Sequence, residues 1–430
     1  MSVLRIVSRT KLYWGLVLLF LIGLAFSPVT SSGKNIFLSY GNLTDVLRQV
    51  SITGLVATGM TTVILIAGID LSVGSVMAFC TVVCAMLLTT EGWTPAAIMG
   101  VPGTALVAFI AGMALLRFLF KGLAYRQTVA LGHRADVVLD SVRGVYVPYA
   151  FGIFLALLSI WFTVAQVPTK FGVLGVLLVV PCLGFIVGAL SGTIIVSGRL
   201  QPFIVTLAMM VSMLGLARLT AGQNSAVLPV YTGENATADF DVLRSMLFGI
   251  LPMPGLFFLL AIAVFAALLR FTSYGRYVYA IGGNEDAARL SGINVDRVKI
   301  VTYAFSGMLA GIAGILFAAQ YRQGKPDAGS GLELDAIAAV VIGGTSLMGG
   351  RGGHAGTLVG VLIFGLLTNI LQLHNINSNL QLVLKGAIII VTVLVQERNL
   401  ADVLSHWRFF ARGRTDAGIG RRKAAAKSHL

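Results

Sequence analysis

The sequence predicts an all-α fold: a polytopic transmembrane helical bundle of about 10–12 spans, with one or two broken or re-entrant helices. Three observations predict it. Of 430 residues, 57% are hydrophobic and only 11% are charged, against roughly 25% charged in a soluble domain. That balance excludes an ordinary globular protein, and the same hydrophobicity excludes disorder. Many apolar runs reach the ~18–20 residues that a helix needs to cross a bilayer. Glycine is abundant, with 50 residues, and recurs every fourth position in Gly184/Gly188/Gly192, Gly307/Gly311 and Gly356/Gly360. Small residues at that spacing let membrane helices approach closely, so these read as packing faces.

The elements follow in order. Arg5, Arg9 and Lys11 precede the first apolar stretch, 12–30. This has the outline of a signal peptide, but no small-x-small pair directly follows a short core, so an uncleaved first span is expected. Further apolar segments lie at 50–67, 73–90, 96–116, 146–166, 172–197, 202–221, 246–270, 300–320, 336–349, 355–372 and 380–396. The 336–349 segment is short for a span, and reads as a half-helix or a re-entrant piece buried in protein, where irregular backbone is tolerated.

Charge tests this count. With the N-terminus inside and every segment crossing, 23 Lys and Arg fall inside and 7 outside. This is the positive-inside pattern, and it places both termini in the cytoplasm of a multi-pass plasma-membrane protein. The acidic loop with Glu234, Asp239 and Asp241 falls outside. A re-entrant 336–349 would require one neighbouring boundary to change. The formal net charge of +14 therefore reports topology and not nucleic acid. Residues 1–397 form the membrane domain and 398–430 a basic cytoplasmic tail. The tail fixes topology or meets anionic lipid.

Catalytic chemistry finds no support. Gly324-Lys325 is followed by Pro326 and makes no phosphate-binding loop. Gly350-Arg351-Gly352-Gly353-His354-Ala355 matches a loose dinucleotide pattern but opens no soluble βαβ unit. The five histidines are scattered. Cys80, Cys84 and Cys182 sit in apolar runs as small hydrophobes. No cofactor or metal site is expected. Intramembrane ionisable residues, the mark of ion-coupled transport, are few: Asp70 is the main one, and Lys385 can snorkel. Driving energy is therefore expected from a separate subunit.

Two segments resemble each other. Ungapped alignment of Ile66–Gly74 with Ile342–Gly350 pairs Ile66 with Ile342, Gly68 with Gly344, Leu71 with Leu347 and Gly74 with Gly350. Each interrupts an apolar helix with glycine and a polar core, Asp70-Leu71-Ser72 and Thr345-Ser346-Leu347. Matched interruptions point to a duplicated transporter. Two tight buried turns would give the same pattern. A cap or turn role is expected for Asp70.

The stretch 274–299 is the most informative. Asn284 can cap a short helix with Glu285 and Asp286 in its first turn, Arg289 further on and Gly292 at its end. A two-turn helix on a cytoplasmic surface is marginal alone and gains from docking on a partner. Asp286-Ala287-Ala288-x3-Gly292 resembles the EAA-x3-G loop of the membrane subunits of ABC importers, with Asp for Glu and without the usual Ile-x-Leu-Pro downstream. GGNEDAARLSGINVDRVKI, GLELDAIAAVVIGGTSLMGGRGG and GMTTVILIAGIDLSVGS together resemble the ribose/xylose/arabinose permease group of these importers. The resemblance covers roughly 40–90 and 172–396. The stretch 96–166 looks like a two-span insertion with a basic loop, similar to the longer, xylose-type permeases.

The resemblance implies a bacterial inner-membrane permease that pairs with itself or a homologue. It implies partners: ATP-binding cassette subunits that dock on 284–292, and a periplasmic or extracellular sugar-binding protein that delivers a monosaccharide, a pentose or a related sugar. Candidate path residues, by type and position, are Phe203, Thr206, Asn369 and Gln372. An ion-gradient-driven secondary transporter of a small polar solute is the alternative.

Overall fold

The computed structural model describes residues 3–90, 171–222 and 226–397. The expected insertion at 96–166 and the tail at 398–430 lie outside the described residues. The chain divides into two compact units, Met1–Leu373 and His374–Leu430.

The first unit is helical throughout its frame. Helices α1 (Val3–Ala25), α2 (Tyr40–Leu65) and α3 (Val73–Thr89) come first, then α4 (Val173–Gly198) and α5 (Pro202–Ala221). After a loop with a short 3-10 helix (Ala238–Arg244) come α6 (Met253–Phe271), α7 (Ser273–Gly283), α8 (Glu285–Leu290), α9 (Val295–Tyr321), α10 (Leu332–Ile342) and α11 (His354–Leu373). The second unit carries α12 (Ser378–Glu397). The strands are two-residue pieces: β1 (Leu228–Pro229) pairs antiparallel with β4 (Gln323–Gly324), and β2 (Met246–Leu247) with β3 (Leu251–Pro252).

Five described helices, α4, α5, α6, α9 and α11, are long and apolar enough to cross a membrane. Helix α2 has the length, 26 residues, but not the composition, and it starts ten residues before the expected 50–67 segment. Ser39 caps it, accepting from the Asn42 amide at 3.3 Å, and its first turns carry Asn42, Thr44, Asp45 and Arg48. From Val50 onward nearly every residue is buried, including Ser51, Thr58, Thr61 and Thr62, which bond back to the helix's own carbonyls. Helix α2 is the centre of the bundle, so its side chains face protein and its pattern is not that of a lipid-facing span. The expected 246–270 segment begins as helix only at Met253, because 246–252 turns back on itself as the β2–β3 pair through Gly249 at φ +67°.

The glycine faces pack as read. Helices α4 and α9 run antiparallel, and a methyl group on Gly184 would overlap the Gly307 carbonyl oxygen, one on Gly307 the Gly184 carbonyl oxygen, and one on Gly188 the Tyr303 carbonyl oxygen. Backbone meets backbone along Gly184, Gly188 and Gly192, which fixes α4 and α9 as one close-packed body. Gly356 and Gly360 do the same between α11 and α10, against Gly343 and Ala339.

The short segment resolves into two parts. Gly324 packs on Thr81–Ala85, Lys325 and Thr81 exchange hydrogen bonds at 3.0 Å, and Gly329 lies against Gly74. After the two-residue strand at 323–324, residues 325–331 descend the flank of α3 as a run of turns, with the Ala328 amide on the Lys325 carbonyl and the Ser330 amide on the Asp327 carbonyl, both at 3.2 Å. Only then does α10 begin, 11 residues long, a rise of about 16 Å, roughly half a bilayer core. The helical part lies at 332–342, ahead of the expected 336–349, since Gly343 and Gly344 end it.

Candidate functional site

The short helix at 284–292 forms, and its capping is local. The Asn284 side chain accepts from the Ala287 amide at 2.9 Å. Glu285 and Asp286 occupy the first turn, where the helix dipole favours them. Gly292 closes the helix at φ +83°, with its amide on the Arg289 carbonyl and the Ile293 amide on the Ala288 carbonyl, both at 3.1 Å.

Salt bridges bind α8 to the first turns of α9. Lys299 donates to Glu285 at 2.7 Å, and Arg289 reaches Asp296 at 2.9 Å and Glu285 at 3.4 Å. Burial pushes the Glu285 carboxyl up, but Lys299 and Arg289 outweigh it and hold it below the ordinary glutamate value. The Asp296 hydrogen bond raises Arg289 above its ordinary value. Ala288 is buried within the chain, whereas Asp286, Ala287 and Leu290 face out, Leu290 at 89% exposure. An exposed leucine beside an exposed alanine on a capped six-residue helix is an apolar tip uncovered among the described residues.

The sequence did not single out α7. Thr272 caps it, accepting from the Gly275 amide at 3.4 Å, and Gly275, Val278 and Ile281 form its buried stripe. That three-residue repeat was the available signal. Helix α7 delivers Gly282 and Gly283 to a tight junction just before the Asn284 cap.

Both helix breaks meet there. The Gly350 amide donates to the Leu65 carbonyl at 2.9 Å. A methyl on Gly282 would overlap the Leu65 carbonyl oxygen and crowd the Gly350 amide, and one on Gly349 would stand 2.8 Å from the Ala67 nitrogen. Tyr279 on α7 donates to the Gly352 carbonyl at 2.9 Å. The break after α2, the break after α10 and the start of α8 thus touch backbone to backbone. Gly350 lies in this junction and Gly344, at φ +85°, makes the turn that leads into it. Thr345 is buried at its edge, and Ser346 accepts from the Met348 amide at 3.3 Å.

Within the first break, Asp70 is 1% exposed. One carboxylate oxygen accepts from the Ser72 amide at 3.1 Å and its hydroxyl at 2.6 Å, and the other from the Ser306 hydroxyl of α9 at 2.9 Å. Asp70 is thus both a turn at the start of α3 and a clasp to α9. No cation pairs with it among the described residues. Gly68 lies under the Tyr303 hydroxyl, and Gly74 against Gly329 and the Glu333 carboxylate. A cavity of about 310 Å³ opens beside the junction, lined by Ala67, Gly68, Pro202, Gly282, Glu285, Lys299 and neighbours.

The four path candidates do not come together. Asn369 exchanges amide hydrogen bonds with Asn42 of α2 at 2.7 and 3.2 Å. Thr206 is buried, bonded to the Pro202 carbonyl at 3.0 Å and to Ile69 of the first break at 3.3 Å. Phe203 is half-exposed on α5, and Gln372 is exposed on the last turn of α11.

A family model for the branched-chain amino acid transport system / permease component matches residues 144–393. The ribose import permease protein of Escherichia coli (strain K12) is 35% identical over 84% of this chain and 87% of its own. The Bacillus subtilis (strain 168) ribose import permease protein is 34% identical over 85% and 87%. The xylose transport system permease protein of Escherichia coli (strain K12) is 33% identical over 83% and 85%. No solved structure matches the chain.

Proposed function

The chain belongs to the permease family of branched-chain amino acid transport systems, and from that premise we propose that it forms the translocation path of an ATP-driven monosaccharide importer. A pentose is the favoured cargo, because the relatives at 33–35% identity carry ribose or xylose in their names. The energy comes from separate ATPase subunits docked on α8, and a soluble binding protein delivers the sugar to the outer face. Two copies of the chain, or this chain and a homologue, enclose the path, with both termini in the cytoplasm. The stretch 96–166 is an insertion on this frame and 398–430 a topology-fixing tail.

One observation carries the reading: a capped helix with an exposed apolar tip, joined backbone to backbone with both helix breaks through Gly282. A push on α8 moves α9 through Glu285–Lys299 and Arg289–Asp296, and moves the breaks through Gly282. The breaks are where α3 and α10 begin and end. A tilt there changes the bundle without unfolding a helix. Phe203 and Gln372 keep free faces and remain path candidates. The polar atoms of Thr206 and Asn369 are engaged within the protein and act by holding helices around the path.

The test is a pull-down of the tagged chain from membranes in mild detergent, with uptake of labelled ribose and xylose alongside. Ala287→Glu is the variant to use, since Ala287 faces out while Ala288 is packed inside. The expected result is recovery of a Walker-containing ATPase with the wild type, and its loss together with uptake in Ala287→Glu at normal membrane insertion. A stable assembly without ATPase that takes up sugar on an ion gradient would overturn the proposal and favour a secondary transporter working through Asp70.

A further inference from the structure

The cavity of about 310 Å³ beside the junction has a size within the range of small-molecule sites. Its walls come from four segments: the first break, the start of α5 at Pro202, the α7–α8 joint from Ile281 to Glu285, and α9 at Lys299 and Tyr303. Gly283 and Asn284 are exposed, so the mouth opens on the surface that carries α8.

The lining is of two kinds. Ile66, Pro202 and Ile281 are apolar. The polar groups keep much of their bonding capacity. Lys299 gives one of its three protons to Glu285 at 2.7 Å. Asn284 spends its side-chain oxygen on the Ala287 amide, and its amino group has no partner among the described residues. The Tyr303 hydroxyl, buried against Gly68, also has none there. These groups select a ligand class. The one cation and the one anion of the lining neutralise each other, so a charged ligand finds no net charge to offset its desolvation. A donor and an acceptor side by side suit hydroxyls on neighbouring carbons, each of which donates and accepts. Apolar surface beside them suits the C–H groups of a sugar ring.

We propose that the cavity is a cytoplasmic monosaccharide site, which binds accumulated cargo and slows further import. This rests on the importer reading, which supplies both the sugar and the side from which it enters. The walls belong to the pieces that a push on α8 displaces, so the cavity changes shape during the cycle. A ligand that fits the present shape favours it by its difference in affinity for the two shapes. Occupancy therefore holds the α7–α8 joint against the first break and opposes the stroke.

The test uses the whole complex in inside-out proteoliposomes, with binding protein and labelled ribose in the lumen and ATP outside. Unlabelled ribose or xylose added outside is expected to slow ATP hydrolysis and labelled-sugar export several-fold in the wild type. Gly283→Leu starts a side chain in open space at the mouth and is expected to remove that sensitivity, read against its own rate without outside sugar. Equal slowing in Gly283→Leu would mean that the sugar acts from the translocation path, and no slowing in the wild type would mean that the cavity does not regulate. Either result overturns the proposal. A second measurement needs no turnover: ribose is expected to slow labelling of Gly283→Cys by a maleimide several-fold over the background of the unsubstituted chain, and unaltered labelling overturns the proposal as well. If the wild-type complex exports no labelled sugar with ATP, the importer reading fails instead, so the two failures are distinguishable.

Discussion

The two helix breaks look alike in sequence and differ in what they bury. Ile66–Gly74 and Ile342–Gly350 share four positions of nine, and both reverse the chain through a left-handed residue. That residue is Ala67 at φ +58° in the first and Gly344 at φ +85° in the second, one position apart in the ungapped alignment. The first break returns at once into α3, with Asp70 sealed inside and tied across to α9. The second continues as a loop to His354, with Ser346 bonded only to its own turn and Met348 72% exposed. Glycine spacing specifies that a helix ends. The polar core between the glycines specifies whether the break is anchored. The first is the fixed side of the junction and the second the compliant one.

Gly282 joins the two, so it offers the largest way to break the comparison. Gly282→Leu forces a side chain into the Leu65 carbonyl and the Gly350 amide. It is expected to cost more than ~4 kcal/mol, read as failure of the purified chain to give a cooperative melt in detergent. The next test separates the breaks. Ser306→Ala strips a donor from a buried carboxylate and should cost about 1–3 kcal/mol. Ser346→Ala removes a local turn bond at a half-buried site and should fall within ~0.5 kcal/mol of wild type. Equal shifts in melting temperature for the pair would show that the first break is not the anchored one. The smallest effects are at the left-handed residues. Gly344→Ala places a methyl in a strained conformation with open space around it and should cost about 1–2 kcal/mol. Ala67→Gly relieves that strain in the first break and should gain ~1 kcal/mol or less, the entropy of glycine offsetting part of it. Paired thermal melts of the two variants test the opposite signs.

Much of the frame was legible in the sequence because it is local. Apolar runs set the helices, glycine every fourth residue set the α4–α9 face, and Asn284 with Gly292 set the ends of α8. Capping and periodicity depend on neighbours within four residues, so a linear reading captures them. The shift of the α10 helix to 332–342 was also local in origin, since Gly343 and Gly344 stop it, but the run of turns before it carries no periodic signal.

Tertiary structure decided the rest. Ser306 finds Asp70 from 236 residues away, Asn42 finds Asn369 from 327, and Gly282 is pressed between two breaks far from it in the chain. No local pattern encodes such partners, because a polar group in an apolar span is satisfied by whichever helix packs against it. Packing alone turned Ala288 inward and Ala287 outward, and set the buried Tyr303 hydroxyl against Gly68. The sequence determined that helices form, where most of them end and which faces can approach. Which backbones meet, and therefore which residue can pass a push from α8 to the breaks, was settled only when close packing chose among the approaches that glycine allows.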